Sequence, residues 1–188
     1  MRHILLALAF LSAAPAFAGT QMRSRATVIK GALIRAGGPG GAQSAPASTI
    51  QGLCEEGVRK VFYLYPENNF NTRGTYRCSR GTTEYTGGAF RGPAVKGVLA
   101  EVLRSANEGG GPVLVHCWNG WHAAGEISAL ALIQFCDWSG QRAADYWVKG
   151  IQDKGNLGKY GSIINRIRNF QPIPGLRFSD SQKASRCP

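Results

Sequence analysis

The chain has 188 residues and carries 22 Lys and Arg against 11 Asp and Glu, a net charge of +11. That length suits one domain with a proper buried core, and the surplus of cations favours anionic partners such as phosphorylated molecules, acidic glycans or lipid headgroups. The basic residues are scattered rather than gathered into a run, which argues against a nucleic-acid-binding stripe.

Taken from the start, Arg2 and His3 precede an apolar run over residues 4–11, and Ala16 and Ala18 follow as small residues. This pattern predicts a signal peptide over 1–18, a mature single domain over 19–188, and a periplasmic or secreted location. The apolar run is too short for a permanent span, which needs ~20 residues, so no stable membrane anchor is expected after cleavage. A short strand is predicted over 26–29, and the Gly, Ala, Pro and Ser of residues 34–48 read as a loop. Ser48 or Thr49 is expected to cap a short helix that runs through Leu53 and stops at Gly57. Val61, Phe62, Tyr63, Leu64 and Tyr65 form a buried-strand run ended by Pro66. Residues 68–92 have no helical period and read as a long surface excursion with one or two short strands.

Pro93 opens the clearest helix, with Val95, Val98, Leu99, Val102, Leu103 and Ala106 at three-and-four spacing. Gly109, Gly110, Gly111 and Pro112 break it, and Val113, Leu114 and Val115 then make a short strand leading into His116 and Cys117. Residues 126–137 read as a helix apolar all round, which predicts burial. Two further helices are expected, over 141–151 and 159–170. The tail from Gln171 should wrap the surface.

Five cysteines, Cys54, Cys78, Cys117, Cys136 and Cys187, leave one unpaired when the others form disulfides in an oxidising compartment. Cys117 is expected to be the odd one, and the other four allow three pairings that the sequence leaves open. Its setting is a strand, a Gly-containing turn and then a buried helix. Turn amides and a helix N-terminus there would form a cup for phosphate-like anions and favour a thiolate. The candidate anion-binding loop is Trp118, Asn119, Gly120, Trp121, His122, Ala123 and Ala124, with His116 and His122 as neighbours that hydrogen-bond or carry charge. Trp118 and Trp121 are expected to line the cup. No cofactor is required by this reading. An alternative is a thiol or metal site holding copper or zinc through His116, Cys117 and His122, three borderline donors.

Two segments carry a family resemblance. Gly57, Val58, Arg59, Lys60, Val61 and the residues through Glu67 resemble the early strand of dual-specificity phosphatases in the protein tyrosine phosphatase superfamily. Pro112 through Cys117 is similar to the strand entering that superfamily's phosphate loop, and Gly120 and Gly125 fall where the family has glycine. The resemblance implies an α/β fold with a small central sheet flanked by helices, and a cysteine-dependent phosphatase acting on a phosphorylated or other anionic small molecule or protein. It also exposes departures. The family's Arg, six positions after the cysteine, is Ala123 here, and the following Ser or Thr is Ala124. No Asp precedes Asp137, so Glu84 is the one carboxylate placed to stand in for the family's general acid. Arg73, Arg77, Arg80 and Arg91 are the cations able to replace the arginine from the excursion. The sequence therefore predicts a weak or atypical phosphatase, or else a pseudophosphatase that keeps the cup as a binding module.

Overall fold

The computed structural model describes residues 22–40, 44–65, 70–151 and 157–188. The expected signal peptide and the strand-ending Pro66 lie outside these residues. Six strands form one sheet in the order β1-β2-β6-β3-β5-β4. They are β1 (Ala26–Ile29), β2 (Leu33–Gly37), β3 (Lys60–Tyr63), β4 (Gly74–Cys78), β5 (Gly81–Gly87) and β6 (Val113–Cys117). The four inner strands, β2, β6, β3 and β5, run parallel, and β1 and β4 close the two edges antiparallel to their neighbours. Every residue of β6 is buried, as a central parallel strand covered on both faces requires.

Helix α1 (Ala47–Glu55) covers one face, where Ile50 and Leu53 pack on Val61, Tyr63, Tyr85 and Leu114. Helices α2 (Ala94–Glu108), α3 (Ala123–Cys136), α4 (Gly140–Ile151) and α5 (Gly161–Arg168) contribute to the larger core on the other face. Pro93 caps α2 at its start, and Gly109 ends it in the left-handed region at φ 69°. Helix α3 is buried from Ala123 to Phe135, in keeping with its apolar sequence. Among the described residues no helix is long and apolar enough to cross a membrane.

Four expectations are corrected. Residues 33–37, read in large part as loop, form strand β2 beside β6, because tertiary pairing supplies what Ala36 and Gly37 lack in strand propensity. The excursion does carry two strands, β4 and β5, but it is not confined to the surface, because β5 joins the sheet through β3 and buries Thr83 and Tyr85. Helix α1 starts after Pro46, and neither Ser48 nor Thr49 caps it. The tail contains a helix, α6 (Asp180–Arg186), opened by a capping box between Ser179 and Gln182.

Two disulfides fix the frame. Cys54 joins α1 to Cys78 of β4, and Cys136 joins the end of α3 to Cys187 after α6. Cys117 is the free, buried thiol.

Candidate active site

Strand alternation decides what β6 presents to each side. Val113, Val115 and Cys117 face the core of α2 to α5, whereas Leu114 faces the α1 side. His116 follows Leu114: its ring stacks on Tyr63 with centroids 4.9 Å apart, and its Nε2 lies 2.9 Å from the Tyr85 hydroxyl. The same hydroxyl accepts the Ala45 N–H at 2.8 Å. Burial pushes His116 down to about 3, against a smaller opposing pull from the Cys117 backbone, so the imidazole is neutral at ordinary pH. His116 therefore braces the strand from behind and does not share a pocket with the Cys117 thiol.

Cys117 lines a cavity of about 450 Å³ at the carboxyl end of β6. Parallel α/β sheets offer ligand sites at that edge. Trp118, Asn119, His122 and Ala123 of the loop line it together with Tyr65, Phe90, Arg91, Lys159, Tyr160, Ser162 and Ile163. Trp118 is half exposed at its mouth, as is Tyr65. Trp121 packs against the hydrophobic core instead and is not among the lining residues.

The loop's shape depends on one close approach. Gly120 adopts φ +82°, and a Cβ built there would lie 2.6 Å from Gly37 N and 2.8 Å from Ala36 C. Only glycine satisfies both the dihedral and the contact. Loop carbonyls are engaged from outside the cavity. Gly38 N–H donates to Cys117 O and Trp118 O at 2.9 and 3.0 Å, while Trp147 Nε1–H and Glu126 N–H donate to His122 O at 3.2 and 2.8 Å. The backbone N–H groups of Asn119, Gly120, His122, Ala123 and Ala124 donate to no other described residue. The last two belong to the first turn of α3, where unpaired amides and the helix dipole favour an anion.

Of the sequence-proposed residues, the structure brings Cys117, Trp118, Asn119, His122 and Ala123 to one cavity. His122 lies with its ring 4.8 Å from that of Tyr160, its Nε2 is buried without a partner among the described residues, and burial lowers its basicity. Glu84 is elsewhere. It pairs with Lys60 at 2.9 Å and sits level with Val113 through the β5-β3-β6 register, two strands across from Cys117 and about 13 Å short of it along the strand direction. Glu84 therefore does not reach the thiol. The three-donor metal set also fails to assemble, since His116 faces the other side of the sheet. Among the described residues no cluster of three or more His, Cys, Asp or Glu side chains is placed to hold a metal ion.

Of the four candidate cations, Arg91 reaches the cavity. Arg73 stacks on Phe70, and Arg77 near the end of β4 and Arg80 in the β4–β5 turn lie near the sheet end opposite Cys117. Lys159 adds a second charge on the lining. The sequence reading missed the hold of Arg23 and Arg35 on the loop. Their partners lie about half the chain away, so no spacing announces them. It also missed Glu126, fully buried in the first turn of α3 and paired in bidentate fashion with Arg166 at 2.8 and 3.0 Å.

Neither a family model nor a curated protein matches the chain. Among solved structures, it is similar to the core catalytic domain of the PP-IP phosphatase SIW14 from S. cerevisiae, determined in complex with citrate. The TM-score is 0.51 at 17% identity, over 78% of this chain and 85% of that one. The fold is of the tyrosine-phosphatase type. Within this phosphatase-type fold, the chain places a free cysteine at the end of β6 and a loop leading into the buried helix α3. It has alanine at the two positions after His122, so residues 118–124 include no Lys or Arg.

Proposed function

We propose that this chain is an exported phosphatase-like protein in which Cys117 and the amides of residues 118–124 bind a phosphate group, with weak or atypical hydrolysis. The observation that carries this reading is the free thiol beside the amides of Asn119, Gly120, His122, Ala123 and Ala124, which have no partner among the described residues, in a cavity that Arg91 and Lys159 also line. The thiolate of Cys117 attacks phosphorus, the ester P–O bond breaks, and the leaving oxygen takes a proton from solvent. Water then cleaves the P–S bond, releasing phosphate and restoring the thiolate. The partner is a phosphorylated or otherwise anionic small molecule or protein. The signal-like residues 1–18 support periplasmic or secreted export, and no cofactor is called for.

Two losses limit the rate. A clamp on the transferring phosphoryl group is worth about 10³–10⁵, and Arg91 approaches from a loop rather than from the helix start. General acid help is worth about 10²–10⁴, and among the described residues no carboxylate lines the cavity. That second fact favours a further reading, a pseudophosphatase that binds its anion without turning it over.

A nitrophenyl phosphate separates the two readings, because its leaving group departs without a proton. The mature protein should hydrolyse it slowly, Cys117→Ser should abolish turnover, and Arg91→Ala should lower kcat/KM at least about tenfold, the weight of one charge-assisted contact. Absence of turnover in the unaltered protein, with orthovanadate still protecting Cys117 from alkylation, would leave the binding module standing. Absence of both would reject the anion cup.

A further inference from the structure

Two guanidinium groups grip the Cys117 loop from outside the cavity. Arg23 donates from Nη2 to Trp118 O at 3.0 Å and to Asn119 Oδ1 at 3.1 Å, and from Nε to Gly38 O at 3.1 Å. Arg35, in the middle of β2, donates from Nη1 to Gly120 O at 3.2 Å, and its Nε is buried without a partner among the described residues. Neither arginine lines the cavity. Neither has a carboxylate among the described residues, whereas Arg59, Arg104 and Arg166 each do. Arg35 is half-buried, and a cation so placed without a counter-ion is unfavourable until an anion comes near, whereas Arg23 is exposed.

The direction of these bonds has a geometric consequence. Across a trans peptide the C=O and the following N–H point opposite ways, and no cis bond occurs among the described residues. Drawing Trp118 O outward turns the Asn119 N–H inward. The same holds for the Ala123 N–H when Trp147 and Glu126 take His122 O, and Arg35, by taking Gly120 O, fixes the turn between these two amides. The loop's anion-facing amides are thus set by donors on its outer side.

We infer that Arg23 and Arg35 are positioning residues of the anion site, holding the loop carbonyls out and its amides in. They also supply from behind the loop the positive charge that Ala123 cannot. This inference rests on the anion-cup reading above. It explains how a loop without Lys or Arg retains an anion-binding shape, and it assigns function to a segment near Met22 that the motif does not include.

The test uses the mature protein with both disulfides intact and two readouts. One is protection of Cys117 from iodoacetamide by orthovanadate. The other, without ligand, is hydrogen exchange of the Gly38 amide, which bonds to Cys117 O and Trp118 O. Arg23→Ala and Arg35→Ala should each weaken vanadate protection about tenfold and speed Gly38 exchange. Arg23→Lys and Arg35→Lys keep the charge and one donor and should fall between wild type and alanine, nearer to wild type. The lysine variants decide the matter if an alanine variant does not fold. Vanadate protection and Gly38 exchange both unchanged in folded variants would overturn the assignment, and lysine behaving as alanine would overturn its charge component. An unaltered protein that vanadate does not protect would reject the anion cup itself. Gly38 exchange then still reports whether the arginines hold the loop, and unchanged exchange overturns that too.

Discussion

At the residue scale, one-residue alternation along β6 separates two neighbours with different work. Cys117 faces the cavity, and His116 is locked between Tyr63 and Tyr85 on the other side of the sheet. Because burial holds His116 near 3, against 6.5 for an exposed histidine, the unfolded chain binds a proton that the folded chain refuses. Its contribution to stability is fully present above about pH 6.5 and is lost as pH falls toward 3, at about 1.4 kcal/mol per unit. Between pH 7 and about 4.5 the loss is on the order of 2–3 kcal/mol. Urea denaturation at those two pH values should show a smaller acid destabilisation in His116→Asn than in the unaltered protein. Equal losses in both would mean that His116 is not the group being titrated. The unpaired state of Cys117 was legible in the sequence from an odd cysteine count and a strand-turn-helix setting. The placement of Glu84 was not, since which end of a strand a carboxylate occupies depends on the register with β3.

At the element scale, the parts missed were those whose local sequence is weak and whose partners are distant. Strand β2 contains Ala36 and Gly37 because the loop at Asn119 and Gly120 presses on it; a Cβ on Gly37 would meet Asn119 O at 2.9 Å. The small residues that hid the strand are required by the site. Helix α6 is short and polar, and its one local signal was the capping box at Ser179 and Gln182. It is held by the Cys136–Cys187 bridge, by Arg186 donating to Ala106 O and Lys30 O, and near it by Phe178 stacked on Phe135 at 4.6 Å. The bridge closes a sequence separation of 51 residues, which in the chain-entropy model stabilises by about 4 kcal/mol. Replacing Cys187 by Ser should therefore lower unfolding free energy by about 2–4 kcal/mol. It should leave vanadate protection of Cys117 unchanged, because the bridge lies at the far end of α3. A large loss of protection at unchanged stability would contradict that separation of roles.

At the scale of the whole molecule, the α/β class with helices flanking the sheet was legible through the family resemblance carried by the segments 57–67 and 112–117. The strand order did not, because β6 inserts between β2 and β3 by long-range pairing. The net charge of +11 acts at this scale too. Exposed cations attract an anion through solvent and are screened within about 10 Å at 0.1 M salt. Raising NaCl to about 0.5 M should slow vanadate association severalfold while altering dissociation less, because the loop contacts are partly buried. An association rate insensitive to salt would show that the global charge does not steer ligand to this site.

The four tryptophans occupy graded surroundings. Trp147 is fully buried, and Trp121 and Trp138 are packed in part against the core. Trp118 stands 52% exposed at the mouth of the cavity, one residue after the thiol. The molecule thus carries its own optical gauge. The red, quencher-accessible share of its emission comes mainly from the residue beside the candidate nucleophile. Occupancy of the cavity becomes readable as a change of light, with no label attached to the thiol.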